Sequence, residues 1–195
     1  MSIPIPNYIK LDSSKNIICI GNKTRLGFLM IESLRKLEYK KHINLNIMDF
    51  YDSSKFFNSK DLIIKEKISK ENLIVFLFST GGVRTENHNN ERVAESLKDD
   101  LMLLKYLNKY YKKINIVYIS SVLGLINSKK NTDYSQYKRK AEIELKKLTK
   151  NCENIKKLIV IYPGRLINDW KKFFVSGSIT YNRLVKIIIK ILLKK

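Results

Sequence analysis

The chain has 195 residues and 44% apolar content, enough to bury a sizeable core, and its formal charge of +20 comes mainly from lysines spread over every segment. We interpret that charge as a coding bias and expect no nucleic-acid partner, because the aromatic and glycine patterning of single-strand binding platforms is missing. The apolar runs are too short to span a bilayer, the N-terminus lacks a secretory pattern and the two cysteines form no CxxC motif, so we expect a cytoplasmic protein without membrane insertion.

Apolar runs of strand length alternate with helical patterns along the chain. Predicted strands lie at 16–20, 43–48, 73–78, 114–119 and 158–162. Predicted helices lie at 26–41, 53–68, 90–112, 134–150 and 180–193. This alternation predicts one α/β domain over 1–195, with a Rossmann-like doubly wound parallel sheet of about five strands and helices on both faces. If 43–48 lies beside 16–20, the strand order is 2-1-3-4-5.

A glycine-bounded turn, GNKTRLG at 21–27, joins the first predicted strand to the first helix. Glycines in such a turn let backbone amides and the positive helix end approach a pyrophosphate. A six-residue glycine separation is easy to find in a chain with seven glycines, so the position after the first strand is what gives the motif weight. The predicted contacts to a dinucleotide in this turn are Gly21, Lys23, Thr24, Arg25, Leu26 and Gly27.

The stretch after the fourth predicted strand contains the residues with catalytic chemistry. That strand ends in Ser120-Ser121, and Tyr134 and Lys138 follow four residues apart, on one face of a helix if 134–150 is helical. An ammonium one turn from a phenol favours phenolate, which brings the phenol pKa toward the range where it can exchange a proton. Ser121 would hydrogen-bond the substrate oxygen where charge develops. The site therefore suits reduction of a carbonyl or oxidation of an alcohol.

The spacing of tyrosine and lysine alone does not identify this site. Tyr51 and Lys55 repeat it, but no strand ending in serine precedes them. The alternative for Tyr134 and Lys138 is a surface tyrosine and lysine on a basic helix.

Together these motifs resemble the short-chain dehydrogenase/reductase superfamily over nearly the whole chain. The resemblance implies an NAD(P)-dependent oxidoreductase with Ser121, Tyr134 and Lys138 as its catalytic serine, tyrosine and lysine. Lys138 would also hold the nicotinamide ribose. Asp49 would reach the adenine, the turn Ser79-Thr80-Gly81-Gly82 replaces the family's Asn-Asn-Ala-Gly, and Pro163-Gly164 resembles the turn that abuts the nicotinamide. No metal is implied.

Three departures from the family pattern affect these expectations. Arg25 stands where the family has its middle glycine, so its side chain must turn away from the pyrophosphate or alter the approach. The stretch between Gly27 and Gly82 is about one strand and helix short, which predicts that the second strand, with the ribose selector, is missing or merged with 43–49. The active-site asparagine of the central helix is replaced, and Ser96 is nearest to its position.

The leading hypothesis is interconversion of a carbonyl and a hydroxyl on a small substrate, of nucleotide-sugar or other anionic type, with a lid between Arg165 and Ile179. Lys23 and Arg25 give a slight preference for NADP(H) over NAD(H), because they could neutralise a 2′-phosphate. The alternative is a catalytically degenerate relative that binds NAD(P) as a sensor or partner-binding module. A homodimer through helices 90–112 and 134–150 is a further hypothesis.

Overall fold

The computed structural model describes residues 14–56, 71–78, 90–122, 133–167 and 178–193. The main sheet consists of β1 (Ser14–Ile20), β2 (Asn44–Phe50), β3 (Asn72–Leu77), β4 (Lys113–Ile119) and β5 (Ile155–Ile161). The helices are α1 (Arg25–Lys41), α2 (Asn90–Asn108), α3 (Asp133–Asn151) and α4 (Tyr181–Leu193). Two short strands, β6 (Arg165–Ile167) and β7 (Ser178–Thr180), pair in parallel as a second sheet.

The five-stranded sheet has the order β2-β1-β3-β4-β5, and every neighbouring pair is parallel. This confirms the predicted Rossmann-like α/β fold and the predicted strand order. Within the continuous stretch 14–56, α1 ends at Lys41 and β2 begins at Asn44, so no further strand intervenes. The point where the strand order reverses lies between β1 and β3, and ligands of open α/β sheets bind at the carboxyl edge there.

The short connection from α1 to β2 depends on His42 and Glu38. His42 adopts a left-handed conformation with φ of 48° and closes the helix by donating its backbone N–H to the Glu38 carbonyl. The Glu38 carboxylate then accepts from the Leu45 amide at 2.8 Å. One glutamate therefore fixes both the end of the helix and the start of the strand.

A hydrophobic core covers each face of the sheet. On one face α2 and α3 pack over alternate residues of the strands, with a core centred on Ile18, Val75, Leu104, Ile116 and Leu145. On the other face α1 and α4 pack over the remaining residues, with a core centred on Ile17, Met30, Leu34, Phe76 and Ile188. These two cores confirm the expected helices on both faces.

Helix α4 combines apolar and lysine residues and packs against α1. Leu184, Val185 and Ile188 are buried, whereas Lys186 and Lys190 are exposed. Among the helices described, none combines the length and the apolar character that a membrane span requires.

Several predicted boundaries differ from the structure by two or three residues. Strand β2 extends to Phe50. Strand β5 begins at Ile155, ahead of the polar residues Lys156 and Lys157, and its register with β4 shifts at this point, between Ile114 and Asn115. Residues 53–56 of the predicted helix 53–68 are helical. The rest of that helix, the turn at 79–82 and most of the predicted lid lie outside the described residues.

Candidate active site

The turn from β1 into α1 is closed by Thr24, the N-cap of the helix. Its backbone N–H and its hydroxyl both donate to the Gly21 carbonyl, at 3.0 and 2.7 Å. The same hydroxyl oxygen accepts from the Gly27 amide at 3.0 Å. Gly21 has a φ of 93°, a conformation that favours glycine. The sequence therefore specifies a tight, internally bonded turn at the carboxyl end of β1.

Gly27 is required where the first turn of α1 approaches Gly21. A Cβ on Gly27 would lie 2.2 Å from the Gly21 carbonyl oxygen and 3.0 Å from the Thr24 hydroxyl. Both the close packing of helix on turn and the Thr24 cap depend on the missing side chain.

We expect Gly27→Ala to destabilise the protein by about 1–3 kcal/mol, because the added methyl must displace backbone atoms. Urea denaturation of the parent and the variant measures this loss. Phe28→Ala is the matched control, since Phe28 is an exposed neighbour and its replacement should change stability by no more than about 0.5 kcal/mol. A Gly27→Ala variant as stable as the parent would contradict the close approach.

The backbone amides of this turn are not equally placed to meet an anion. Those of Gly21 and Asn22 donate to the Phe50 carbonyl at 2.9 and 3.0 Å, which fastens the turn to the end of β2. The amides of Arg25 and Leu26 are in the first helical turn, where no carbonyl of the helix accepts them. A pyrophosphate would therefore meet the helix end rather than the Gly21 amide.

The cationic side chains of the turn lie on aromatic rings. The Lys23 ammonium is 5.4 Å from the ring centroid of Tyr51, and the Arg25 guanidinium is 5.4 Å from that of Tyr181 in α4. Such cation-π contacts at exposed positions contribute about 0.5–1 kcal/mol. The Arg25 side chain is thus directed toward the first residue of α4.

Asp49 lies one residue before the end of β2, beside this turn. Its carboxylate accepts from the Asn22 side-chain amide at 2.7 Å and pairs with the Arg35 guanidinium at 3.3 Å. Neither partner could be predicted, because they lie 27 and 14 residues from Asp49 and spacing does not reveal which side chains meet. Asp49, which the sequence predicts as an adenine contact, therefore lies among polar partners at the edge of the sheet.

Lys138 is buried in the middle of α3, with 3% of its surface exposed. Its ammonium donates to the Ile119 carbonyl at 3.0 Å, where β4 ends. It lies 5.8 Å from the ring centroid of Tyr134 and 5.2 Å from that of Tyr118. Burial lowers the pKa of Lys138 to about 8, and the charge of Asp100 opposes this decrease.

The three predicted catalytic residues come from two adjoining elements. Tyr134 and Lys138 are four residues apart on α3, and their side chains are within the cation-π distance given above. Ser121 comes two residues after Ile119, the last residue of β4, whose carbonyl accepts from the Lys138 ammonium. Tyr134 and Ser121 are partly exposed, whereas Lys138 is buried.

Tyr118 anchors the helix that contains Tyr134 and Lys138. Its buried hydroxyl donates to the backbone carbonyl of Lys138 at 3.2 Å, and burial raises its pKa above the ordinary phenol value. The Tyr118 hydroxyl therefore stays protonated and links α3 to β4. Sequence reasoning missed it because an apolar strand with a tyrosine is read as core.

Glu142 lies one helical turn after Lys138 on α3, on the same face as Tyr134 and Lys138. Its carboxylate accepts from the Tyr162 hydroxyl at 2.5 Å and from the Lys146 ammonium at 2.5 Å. Burial alone would raise the pKa of Glu142, but the hydrogen bonds from Lys146, Tyr162 and Ser120, together with the charge of Lys146, lower it. Tyr162 immediately precedes Pro163-Gly164, so Glu142 ties the predicted nicotinamide turn to α3. The spacing of four residues from Lys138 is a signal that could have identified it.

Asp100 is a further polar residue near these elements that the sequence did not single out. It is buried in α2, with 1% of its surface exposed, and accepts a hydrogen bond from the Ser53 hydroxyl. Its spacing from the buried leucines Leu97 and Leu104 puts an acid on the core-facing side of the helix, which is the signal that could have found it. Ser96, the expected replacement for the family asparagine, is only half-buried.

Metal ligands are not grouped in the part of the chain that the structure describes. There, no set of three or more His, Cys, Asp or Glu side chains could hold a metal ion.

No protein-family model matches the sequence, and no curated protein matches it significantly. Solved structures do match the fold. A gluconate 5-dehydrogenase from Burkholderia cenocepacia, solved with NADP and tartrate, aligns with a TM-score of 0.61 at 11% identity over 94% of this chain and 89% of its own. A GDP-L-fucose synthetase from Naegleria fowleri bound to NADP gives 0.59 at 12% identity over 94% and 74%.

A short-chain dehydrogenase/reductase from Vibrio parahaemolyticus aligns with a TM-score of 0.56 at 14% identity over 89% of both chains. The chain therefore has the fold of short-chain dehydrogenases/reductases, as its motifs predicted. At these identities the likeness concerns the fold alone.

Proposed function

We propose that the protein is an NAD(P)-dependent oxidoreductase that interconverts a carbonyl and a hydroxyl on a small substrate. The observation that carries this proposal is the buried Lys138 ammonium beside the Tyr134 ring, at the end of the strand that leads to Ser121. A buried lysine is costly to a fold, and such groups are concentrated at functional sites. Here it lies next to a phenol whose ionisation it would favour.

The residues around the β1 turn suit a dinucleotide. Gly27 leaves no side chain at the start of α1, and the first helical amides point toward the carboxyl edge of the sheet. Arg25, Leu26 and Thr24 would surround the pyrophosphate, Asp49 would lie toward the adenosine, and Pro163-Gly164 toward the nicotinamide. When bound, the nicotinamide supplies or accepts a hydride.

The protein residues would handle the proton and the orientation of the substrate. In the reducing direction the substrate carbon gains a hydride, and the Tyr134 hydroxyl donates its proton to the substrate oxygen, leaving a phenolate that solvent reprotonates. The Lys138 ammonium would stabilise this phenolate and hold the nicotinamide ribose. Ser121 would donate a hydrogen bond to the substrate oxygen. Oxidation reverses each transfer.

A slight preference for NADP(H) over NAD(H) is part of the proposal. Lys23 and Arg35 bring positive charge to the β2 edge, which supports tolerance of a 2′-phosphate, whereas Asp49 at the same edge suits a ribose hydroxyl. These opposed charges favour modest discrimination, within about tenfold or roughly 1.4 kcal/mol.

Titration with NADH and with NADPH, followed by nicotinamide fluorescence, tests the proposal. We expect both to bind, with dissociation constants within about tenfold of each other. Failure of both to bind would remove the oxidoreductase and the sensor hypotheses together. A hundredfold preference for either one would contradict the modest selectivity only.

A dinucleotide sensor without turnover is the second candidate. Two features of the turn support it: Arg25 at the position of a glycine, and the donation of the Gly21 and Asn22 amides to Phe50 rather than toward a ligand. Binding of NAD(P)H without consumption in the presence of a broad set of carbonyl compounds would favour this candidate.

The substrate class and the assembly are also proposals. An anionic or nucleotide-sugar substrate is proposed from the sequence of the predicted lid between Arg165 and Ile179, which contains Trp170, Lys171, Lys172, Phe173 and Phe174. These five residues lie outside the described residues. The homodimer through α2 and α3 is supported by two exposed apolar side chains on these helices, Met102 and Ile143.

A further inference from the structure

The chain leaves the main sheet at Tyr162, the residue that follows β5. At this end of the sheet the Ser120 amide donates to the Ile161 carbonyl at 2.8 Å. Pro163 has no backbone N–H with which to continue such pairing. The position of the Pro163-Gly164 turn therefore cannot be fixed by an extension of the β5 ladder.

The side chain of Tyr162 supplies a contact of another kind. Its hydroxyl donates to the Glu142 carboxylate at 2.5 Å, although the two residues are 20 apart in the chain. Glu142 is buried on α3, one helical turn after Lys138. A hydrogen bond to an ionised carboxylate is about twice as strong as one between neutral groups. The segment after β5 is thus fastened to the helix that contains Tyr134 and Lys138.

Both groups are in the protonation state that this hydrogen bond needs. Burial, followed by the hydrogen bond and the charge of Glu142, raises the pKa of Tyr162 above the ordinary phenol value. Burial also raises the pKa of Glu142, but its hydrogen bonds and the charge of Lys146 lower it on balance. At neutral pH the pair is therefore a phenol donor and a carboxylate acceptor. The Lys146 ammonium binds the same carboxylate oxygen, Oε1, at 2.5 Å.

We propose that Glu142 is a positioning residue, which through Tyr162 sets where the Pro163-Gly164 turn lies relative to Tyr134 and Lys138. This role rests on the proposed function, in which the turn and Lys138 both lie toward the nicotinamide half of the dinucleotide. Hydride transfer requires reacting atoms about 3–3.5 Å apart, and a misplacement of about 1 Å can slow it about 10²-fold. The link should therefore affect the nicotinamide half and leave the adenosine half unchanged.

Two variants remove the link, and each takes away a different partner. We expect Tyr162→Phe and Glu142→Ala each to weaken NADH binding and to slow single-turnover hydride transfer to the best carbonyl substrate of a panel by about tenfold or more. ADP, which has the adenosine and the pyrophosphate but no nicotinamide, should bind to both variants as it binds to the parent.

Two further variants distinguish the link from the charge of Glu142. Glu142→Gln keeps an oxygen that can accept from the Tyr162 hydroxyl, so it should recover most of the affinity for NADH and most of the rate. Lys146→Met is the matched control, because it removes the ion pair but leaves the hydrogen bond to Tyr162. We expect this control to match the parent.

Three results would overturn the proposal. The first is an NADH affinity and a rate equal to those of the parent in both Tyr162→Phe and Glu142→Ala. The second is a loss of ADP binding in proportion to that of NADH, because the damage would then extend over the whole site. The third is a Glu142→Gln variant as impaired as Glu142→Ala, because the lost charge would then explain the effect.

A double-mutant cycle in urea measures the link in the full chain without nucleotide. Tyr162→Phe should raise the unfolding equilibrium constant about tenfold in the parent and little in Glu142→Ala. Equal effects in both backgrounds, while nucleotides still bind to the parent, would overturn this inference and leave the proposed function standing. Coupling in the cycle without binding of NADH or NADPH to the parent would refute the proposed function, and the contact would then be structural only.

Discussion

Replacing Tyr134 with phenylalanine should slow turnover by about 10²–10⁴-fold and leave NAD(P)H affinity little changed, as expected for the loss of a general acid or base. The variant keeps the ring that lies 5.8 Å from the Lys138 ammonium and removes only the ionisable oxygen. Because the hydroxyl is needed when the substrate oxygen gains or loses its proton, the loss should appear in the rate of the chemical step. Single-turnover consumption of NAD(P)H with the best carbonyl substrate from a panel measures that rate.

Tyr137→Phe is the control for this experiment. Tyr137 is also partly exposed on α3, three residues from Tyr134, and the proposed site does not include it. We expect this variant to keep the parent rate. A Tyr134→Phe protein that also turns over substrate at the parent rate would show that another group transfers the proton.

Much of the fold follows from local patterns in the sequence. The five main strands are apolar runs of strand length separated by helical patterns, and parallel strands joined by such crossovers leave few possible arrangements. The interval between α1 and β2 is too short for a further strand before Asn44, so β2 could be expected beside β1. By contrast, β6 and β7 have three residues each, too few for any periodic signal, and their pairing depends on contacts between distant parts of the chain.

The candidate site likewise contains one feature that local spacing predicts and others that depend on contacts between distant parts of the chain. Tyr134 and Lys138 could be predicted to share a face because their separation is a helical turn. Tyr118 could not be connected with them, since it lies on β4 and only the packing of α3 on β4 brings its hydroxyl to the Lys138 backbone carbonyl. The predicted roles of Ser121, Tyr134 and Lys138 remain predictions; Tyr134→Phe tests the role of the tyrosine and Lys138→Met that of the lysine.

The burial of Lys138 could not be predicted from the sequence either, and it affects the stability of the protein. Burial lowers its pKa from 10.5 to about 8, so the folded state holds this proton less tightly than the unfolded state. The difference corresponds to about 3 kcal/mol of lost stability wherever both states are protonated. The hydrogen bond to Ile119 returns about 1 kcal/mol.

We therefore expect Lys138→Met to be more stable than the parent by about 2 kcal/mol at pH 7, while it binds NAD(P)H more weakly and turns over substrate more slowly. Below pH 8 folded and unfolded parent both carry the proton, so the full cost is present. Between about pH 8 and 10.5 the folded parent has released the proton that the unfolded chain still holds, so parent stability rises with pH and the advantage of the variant shrinks.

Urea denaturation of both proteins at pH 7 and pH 10.5 measures this difference, with Lys140→Met as the control because Lys140 is exposed on the same helix. The advantage should be present at the lower pH and absent at the higher one, and the control should show neither. An advantage of equal size at both pH values would mean that better apolar packing, and not the buried charge, explains it. An unchanged nicotinamide affinity would separate the lysine from the cofactor ribose, so that its burial would serve the Tyr134 phenol alone.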